Sequence, residues 1–263
     1  MLVDSHCHLD RLNPNDFGGD LAGALEAAAQ QGVSHMLCVG IDLDAFPGMM
    51  EIVRRFPTVF GSVGVHPNET EGEEPTVERL VEESRDPDII AIGETGLDYF
   101  RSRGDLEWQR QRFRTHIVAA LQANLPLIVH TRDSMADTLR ILAEEKAQTV
   151  GGVMHCFTGN VEEAKQALDL GFHISFSGIV TFPNATEIQA AAAYVPNDRL
   201  LVETDSPYLA PNPYRGKSNQ PAWVCYVAEQ VAELRKSDLG EIASITTQNF
   251  ERLFRVSITK SLQ

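Results

Sequence analysis

Leu2-Val3-Asp4-Ser5-His6-Cys7-His8 is a short apolar run that turns polar at its end. Its residue types predict a strand over Leu2–His6. At i and i+2 on a strand two side chains share a face, so His6 and His8 would present both rings together. The same form recurs along the chain. Ile89–Glu94 and Leu200–Asp205 close on carboxylates, while Leu127–His130 and Gly152–His155 close on imidazoles. Val33–Val39, Val59–Gly64 and Phe172–Phe176 bring the expected strands to eight.

Amphipathic segments separate these runs. Leu21–Gln31 is Ala-rich and stops at Gly32, a residue suited to a helix C-terminus. Asp44 is expected to cap the next helix, and Asn160 with Glu163 forms a capping-box pattern. Leu106–Ala123 is the longest helical candidate, and the tail after Leu239 reads as one extra helix packing outside the strands. Parallel strands need long crossovers, so alternation of this kind predicts β-α units. Eight units make a (β/α)₈ TIM barrel with an extra C-terminal helix, filling residues 1–263 as one domain. An open doubly wound sheet is the rival, but neither GxGxxG nor GxxxxGK[ST] follows any expected strand.

In such a barrel the active site lies on the C-terminal rim of the strands. His6, His8, Glu94, His130, His155 and Asp205 would therefore meet at one mouth from five strands. Each alone is more often a packed histidine, a cap or an ion-pair member. Together, buried and unpaired, they would be costly without a cation. Six ligands exceed what one catalytic metal takes. They suit two divalent ions with Glu94 as bridge, because its strand lies between the His6/His8 and His130/His155 pairs. Imidazole and carboxylate donors suit Zn, Mn, Fe, Co or Ni, and Mg prefers oxygen-rich shells. The ligand count does not choose among them.

Bulk properties narrow the partners. A net charge of −15 argues against a long nucleic-acid groove, so a polyanion would be captured locally, by an end or as a small phosphodiester. No apolar run is long enough for a membrane span, and no signal-peptide pattern opens the chain. Four scattered cysteines without a CxxC pair fit a reducing compartment, hence the cytoplasm. Nothing calls for an obligate protein partner.

In order along the chain, VDSHCHLD (3–10), GVHP (64–67), GETGLDY (93–99), VHTRDS (129–134), HCFTG (155–159), SFSGIVTF (175–182), LLVETDSPYLAP (200–211), RGKSN (215–219) and TTQNF (246–250) resemble the TatD-related deoxyribonuclease family of the amidohydrolase superfamily, near its YcfH-type bacterial branch. The resemblance spans nearly the whole chain. It implies a first metal on His6, His8, Glu94 and Asp205, and a second on Glu94, His130 and His155. It also implies metal-dependent phosphate-ester cleavage, with 3′–5′ exonuclease activity on DNA or RNA known among relatives.

The expected mechanism uses a metal-bridging hydroxide as nucleophile and Asp205 as general base. Glu94 and Glu203 complete the catalytic set. Glu203, two residues before Asp205, orients a ligand or a water, or forms a structural salt bridge. For substrate, His66 is a candidate oxyanion donor or a loop residue packed on Pro67. Arg132 is a phosphate fork, or pairs with Asp133 or Asp98. Arg215 and Lys217 read as a cationic lip. Tyr99 and Tyr208 either stack on a base or pack internally, and His35, His116 and His173 are read as structural. A deacylase of D-aminoacyl-tRNA, or another amidohydrolase, would use the same dinuclear site.

Overall fold

A computed structural model describes residues 1–258. Eight parallel strands run β1 (Leu2–Cys7), β2 (Val33–Cys38), β3 (Val59–Val63), β4 (Ile89–Asp98), β5 (Leu127–Arg132), β6 (Gly152–Met154), β7 (His173–Phe176) and β8 (Leu200–Val202), each hydrogen-bonded to the next in chain order. The barrel closes between β1 and the segment after β8. There Cys7 bridges Ser206, and the Asp205 amide donates to the His6 carbonyl at 2.9 Å. The helices are α1 (Ala22–Gln30), α2 (Phe46–Arg55), α3 (Val77–Glu83), α4 (Glu107–Ala123), α5 (Met135–Glu144), α6 (Val161–Asp169), α7 (Thr186–Tyr194), α8 (Val224–Arg235) and α9 (Leu239–Phe254).

Alternation along the strands sorts the core into two layers. Met36, Leu127, Val129, Met154 and Val202 pack outward against the helices. Val3, Leu37, Ile128, Val153 and Leu201 fill the interior, in one cluster with Phe250, Leu253 and Phe254 of α9. The extra helix packs outside the barrel as expected, and its place is the N-terminal end, which it closes. Its anchors are all at strand entries. Thr247 donates to the Met1 carbonyl, Asn249 to the Leu200 carbonyl, and Arg255 just beyond the helix to the Asn124 carbonyl.

Two local expectations fail. Asp44 does not cap α2; the Asp42 carboxylate accepts from the Ala45 amide at 2.6 Å, because the helix begins at Phe46. β4 runs on to Asp98, so Glu94 lies inside a strand rather than at its end. The Asn160–Glu163 capping box forms as expected. Among the described residues no helix is long and apolar enough to cross a membrane.

Candidate metal centre

Two strand irregularities aim the central groups. Between Asp4 and Cys7, β1 spends three residues where β2 spends two, and between Ile92 and Thr95, β4 does the same against β5. A bulge of this kind redirects a side chain out of the pleat. His6 and Glu94 sit in the two bulges. The second requires Gly93, at φ +145°, where a Cβ would fall 2.6 Å from the Ile128 carbonyl oxygen.

Glu94 is 2 % exposed and stands at the centre. Its Oε2 lies 3.3 Å from His6 Nε2 and 3.8 Å from His8 Nε2. Its Oε1 lies 3.1 Å from His130 Nδ1, 2.8 Å from His155 Nε2 and 3.4 Å from His66 Nε2. Asp205 Oδ1 approaches His8 Nε2 at 3.4 Å and His6 Nε2 at 3.7 Å. His6 and His155 stack at 3.9 Å between centroids.

Outer contacts fix which ring nitrogen faces inward. His8 Nδ1–H donates to the Val39 carbonyl at 3.0 Å, His155 Nδ1–H to Glu203 at 3.2 Å, and His130 Nε2–H to Asp98 at 3.2 Å. A neutral ring so held turns a bare lone pair toward Glu94. His66 is built the other way. Its Nδ1 accepts from the Asn68 amide at 3.0 Å, which leaves the proton on the inward Nε2. His66 is therefore a donor to the centre.

The charges interlock. Burial would raise Glu94, but His155, His66 and His130 outweigh it and hold it well below the usual carboxylate range. Burial likewise opposes charge on His155, yet Glu94 and Glu203 push its pKa well up. His8 rises against burial through Asp205, and His130 through Asp98 and Glu94. His66 falls to about 3, chiefly by burial.

The donors suit a cation. Buried His155 Nε2 has no hydrogen-bond partner, although it is 2.8 Å from Glu94 Oε1. Close approach without hydrogen-bond geometry is what two lone pairs aimed at a shared ion give. His6 Nε2 and His8 Nε2 face each other at 3.3 Å. Two imidazole nitrogens tetrahedrally disposed at about 2.1 Å from one ion would sit about 3.4 Å apart. Ligand atoms of His6, His8 and Asp205, of His6, His155 and Glu203, and of His66, Glu94 and His130 each lie close enough to hold an ion, and the proton on His66 Nε2 takes that residue out of the last set.

All six sequence-identified ligand candidates thus meet at one mouth, with His66 beside them. Glu203 and Asp205 do not alternate along a strand, because β8 stops at Val202 and Asp205 has φ +56°. Glu203 turns to His155 and the Cys156 amide instead. Arg132, Arg215 and Lys217 stand farther out, over Phe100 at 3.9 Å, Phe182 at 4.4 Å and Tyr214 at 5.4 Å. Neither Asp98 nor Asp133 pairs with Arg132 among the described residues. Tyr99 packs internally, its hydroxyl donating to Asp137 at 2.7 Å. Sequence reading passed over Asp98 as a partner of His130, and Asn68, which donates to it at 2.7 Å. The GETGLDY block carried that signal unread.

Residues 3–255 match the family described as TatD related DNase. The chain belongs to this family. It is 48% identical over 259 residues to the metal-dependent hydrolase YcfH of Escherichia coli K12, covering 98% of this chain and 97% of the relative. It is 31% identical to a protein of Citrobacter koseri named 3′-5′ ssDNA/RNA exonuclease TatD, covering 94% and 97%. The crystal structure of YjjV, a TatD homolog from Escherichia coli K12, superposes with TM-score 0.89 at 29% identity, covering 97% of this chain and 98% of that one. The chain is accordingly a metal-dependent hydrolase of the TatD family on a TIM barrel, with His, Glu and Asp groups able to hold metal.

Proposed function

We propose that this TatD-family hydrolase is a two-ion phosphodiesterase that trims nucleic-acid ends from the 3′ side. The observation that carries the reading is the division of Glu94. One oxygen faces His6 and His8, the other faces His130 and His155. His6, His8, Asp205 and Glu94 Oε2 would hold one ion; Glu94 Oε1, His130 and His155 would hold the second. Zn, Mn, Co, Ni or Mg are the candidate ions. Bound there, they would supply Lewis acidity and a nucleophile active near neutral pH.

The chain's own groups do the rest. Asp205, lowered against burial by His8 and His6, is ionised and free to take a proton from the attacking water. His66 offers its Nε2–H to a phosphate oxygen. Glu203 holds the His155 ring in register. Arg132, Arg215 and Lys217 take flanking phosphates. The four cysteines are free, which supports work in the reducing cytoplasm.

One competing substrate class is a carbonyl ester such as D-aminoacyl-tRNA, because a metal-activated water attacks carbonyl carbon as readily as phosphorus. Metal-reconstituted protein would be offered 5′-labelled single-stranded DNA, RNA and D-aminoacyl-tRNA side by side. Stepwise shortening from the 3′ end is expected. Deacylation with intact oligonucleotides would replace the nuclease reading.

A further inference from the structure

Among the described residues the two most exposed large apolar side chains are Phe100, 54% exposed, and Tyr208, 51% exposed. Both stand at the mouth that holds the candidate metal centre, on different sides of it. Phe100 follows β4, and Tyr208 follows the turn after β8. A single exposed ring is ordinary on a surface, but an open aromatic face beside a site read as a nuclease is what an unpaired base can stack on.

Each ring is fastened to the centre through its backbone. The Phe100 amide donates at 3.0 Å to Asp98 Oδ1, the carboxylate whose other oxygen takes His130 Nε2–H. The Tyr208 amide donates at 2.9 Å to the Asp205 carbonyl, and its own carbonyl accepts from Asn219 Nδ2. The Tyr208 ring lies 6.0 Å from the His8 ring. Phe100 has one face under the Arg132 guanidinium at 3.9 Å, and the ring stays more than half exposed. Two rigidly based, open rings therefore flank the centre, one of them carrying a cation placed to meet a phosphate.

We propose that Phe100 and Tyr208 are base-stacking platforms that grip the unpaired terminal nucleotides of a single strand around the scissile phosphate. The inference rests on the nuclease reading and deepens it. Every base has a π-face, so such platforms accept any sequence. Inside a duplex both faces of a base are already stacked, and a blunt end frees only the outer face of its terminal pair, so two separate rings suit an unpaired end better.

The test compares a 5′-labelled single-stranded DNA oligonucleotide with the same oligonucleotide abasic at its two 3′-terminal positions, which keeps the phosphates and removes the π-faces. Phe100→Ala and Tyr208→Ala should each raise KM on the ordinary oligonucleotide by at least about fivefold, in line with stacking on one base. Turnover at saturation and metal content should hold, because binding lost equally in ground and transition states moves KM alone. On the abasic substrate, wild type and variants should be equally poor. Phe100→Tyr and Tyr208→Phe should restore the KM. Equal losses on both substrates, or no loss on either, would overturn the platforms while leaving the nuclease reading intact. A wild-type protein that degrades neither oligonucleotide but deacylates D-aminoacyl-tRNA would remove both together.

Discussion

At the C-terminal mouth five imidazoles share one pocket with Glu94, Asp98, Glu203 and Asp205. At the opposite end His35 and His173 are buried with no carboxylate within ion-pair distance among the described residues. Both ends bury ring nitrogens without hydrogen-bond partners. The carboxylates make the difference. At the mouth they draw the rings of His8, His130 and His155 toward the charged form against burial. At the floor burial wins: His173 falls to about 4, and His35, stacked near Phe60, also falls. Imidazole is thus a ligand candidate at one end and an awkward aromatic at the other.

The comparison breaks first at Glu94. Glu94→Gln removes the charge shared by both lobes, so both ions should be lost. Activity should drop by roughly 10³-fold or more, the scale of several kcal/mol of lost charge stabilisation. Elemental analysis of the purified variant beside wild type checks it, with two ions per chain expected in wild type. A variant that keeps both ions would end the bridging role.

The floor should answer differently. Phe250, on α9, is fully buried against the inward side chains of the strands. Phe250→Ala should cost about 3–5 kcal/mol in urea unfolding, while metal content per folded chain and kcat stay at wild-type level. Metal loss from the folded variant would show that the two ends are not independent.

These two expectations divide along what the sequence made legible. The strands and the mouth were readable because a histidine or carboxylate closing an apolar run stands out, and TIM-barrel topology sends all such ends to one rim. The bulges at His6 and Glu94 were not readable, since a bulge is a mismatch between two strands and neither strand records it alone. Glu203 does orient a ligand candidate, His155, as one expectation had it, but not through strand alternation. Strand alternation was extended to Asp205, but β8 ends at Val202 and the following backbone sets both side chains. The place of α9 depended on which apolar residues of eight strands point inward, a property of the closed barrel.

A finer probe of the mouth is Glu203, which touches His155 and the Cys156 amide and is fully buried. Glu203→Gln keeps an oxygen for these donors and loses the charge. Partners of this kind are worth about 10–100-fold in metal affinity. Titration against a competing chelator should show a loss in that range, confined to one of two ions. Unchanged affinity with lowered stability would make Glu203 a packing group.

The last test uses acid on the floor alone. His173 has a folded pKa of about 4, lowered by burial and by Arg199 and Arg252, against 6.5 for a free histidine. Between these values the unfolded chain binds the extra proton. Stability from this group is therefore fully present above pH 6.5 and lost as pH falls toward 4. From pH 7 to pH 5 that loss is about 2 kcal/mol by linkage. His8, His130 and His155 carry the opposite sign without metal, since raised pKa values favour the folded state at acid pH, and they would mask the floor in wild type. The difference between His173→Leu and wild type removes that mask, because the mouth is common to both. Urea unfolding of the two metal-free proteins at pH 7 and pH 5 should show the variant gaining about 2 kcal/mol relative to wild type on acidification. A difference that does not move with pH would mean that His173 meets a partner able to hold its proton, and the contrast between the two ends would lose its electrostatic basis.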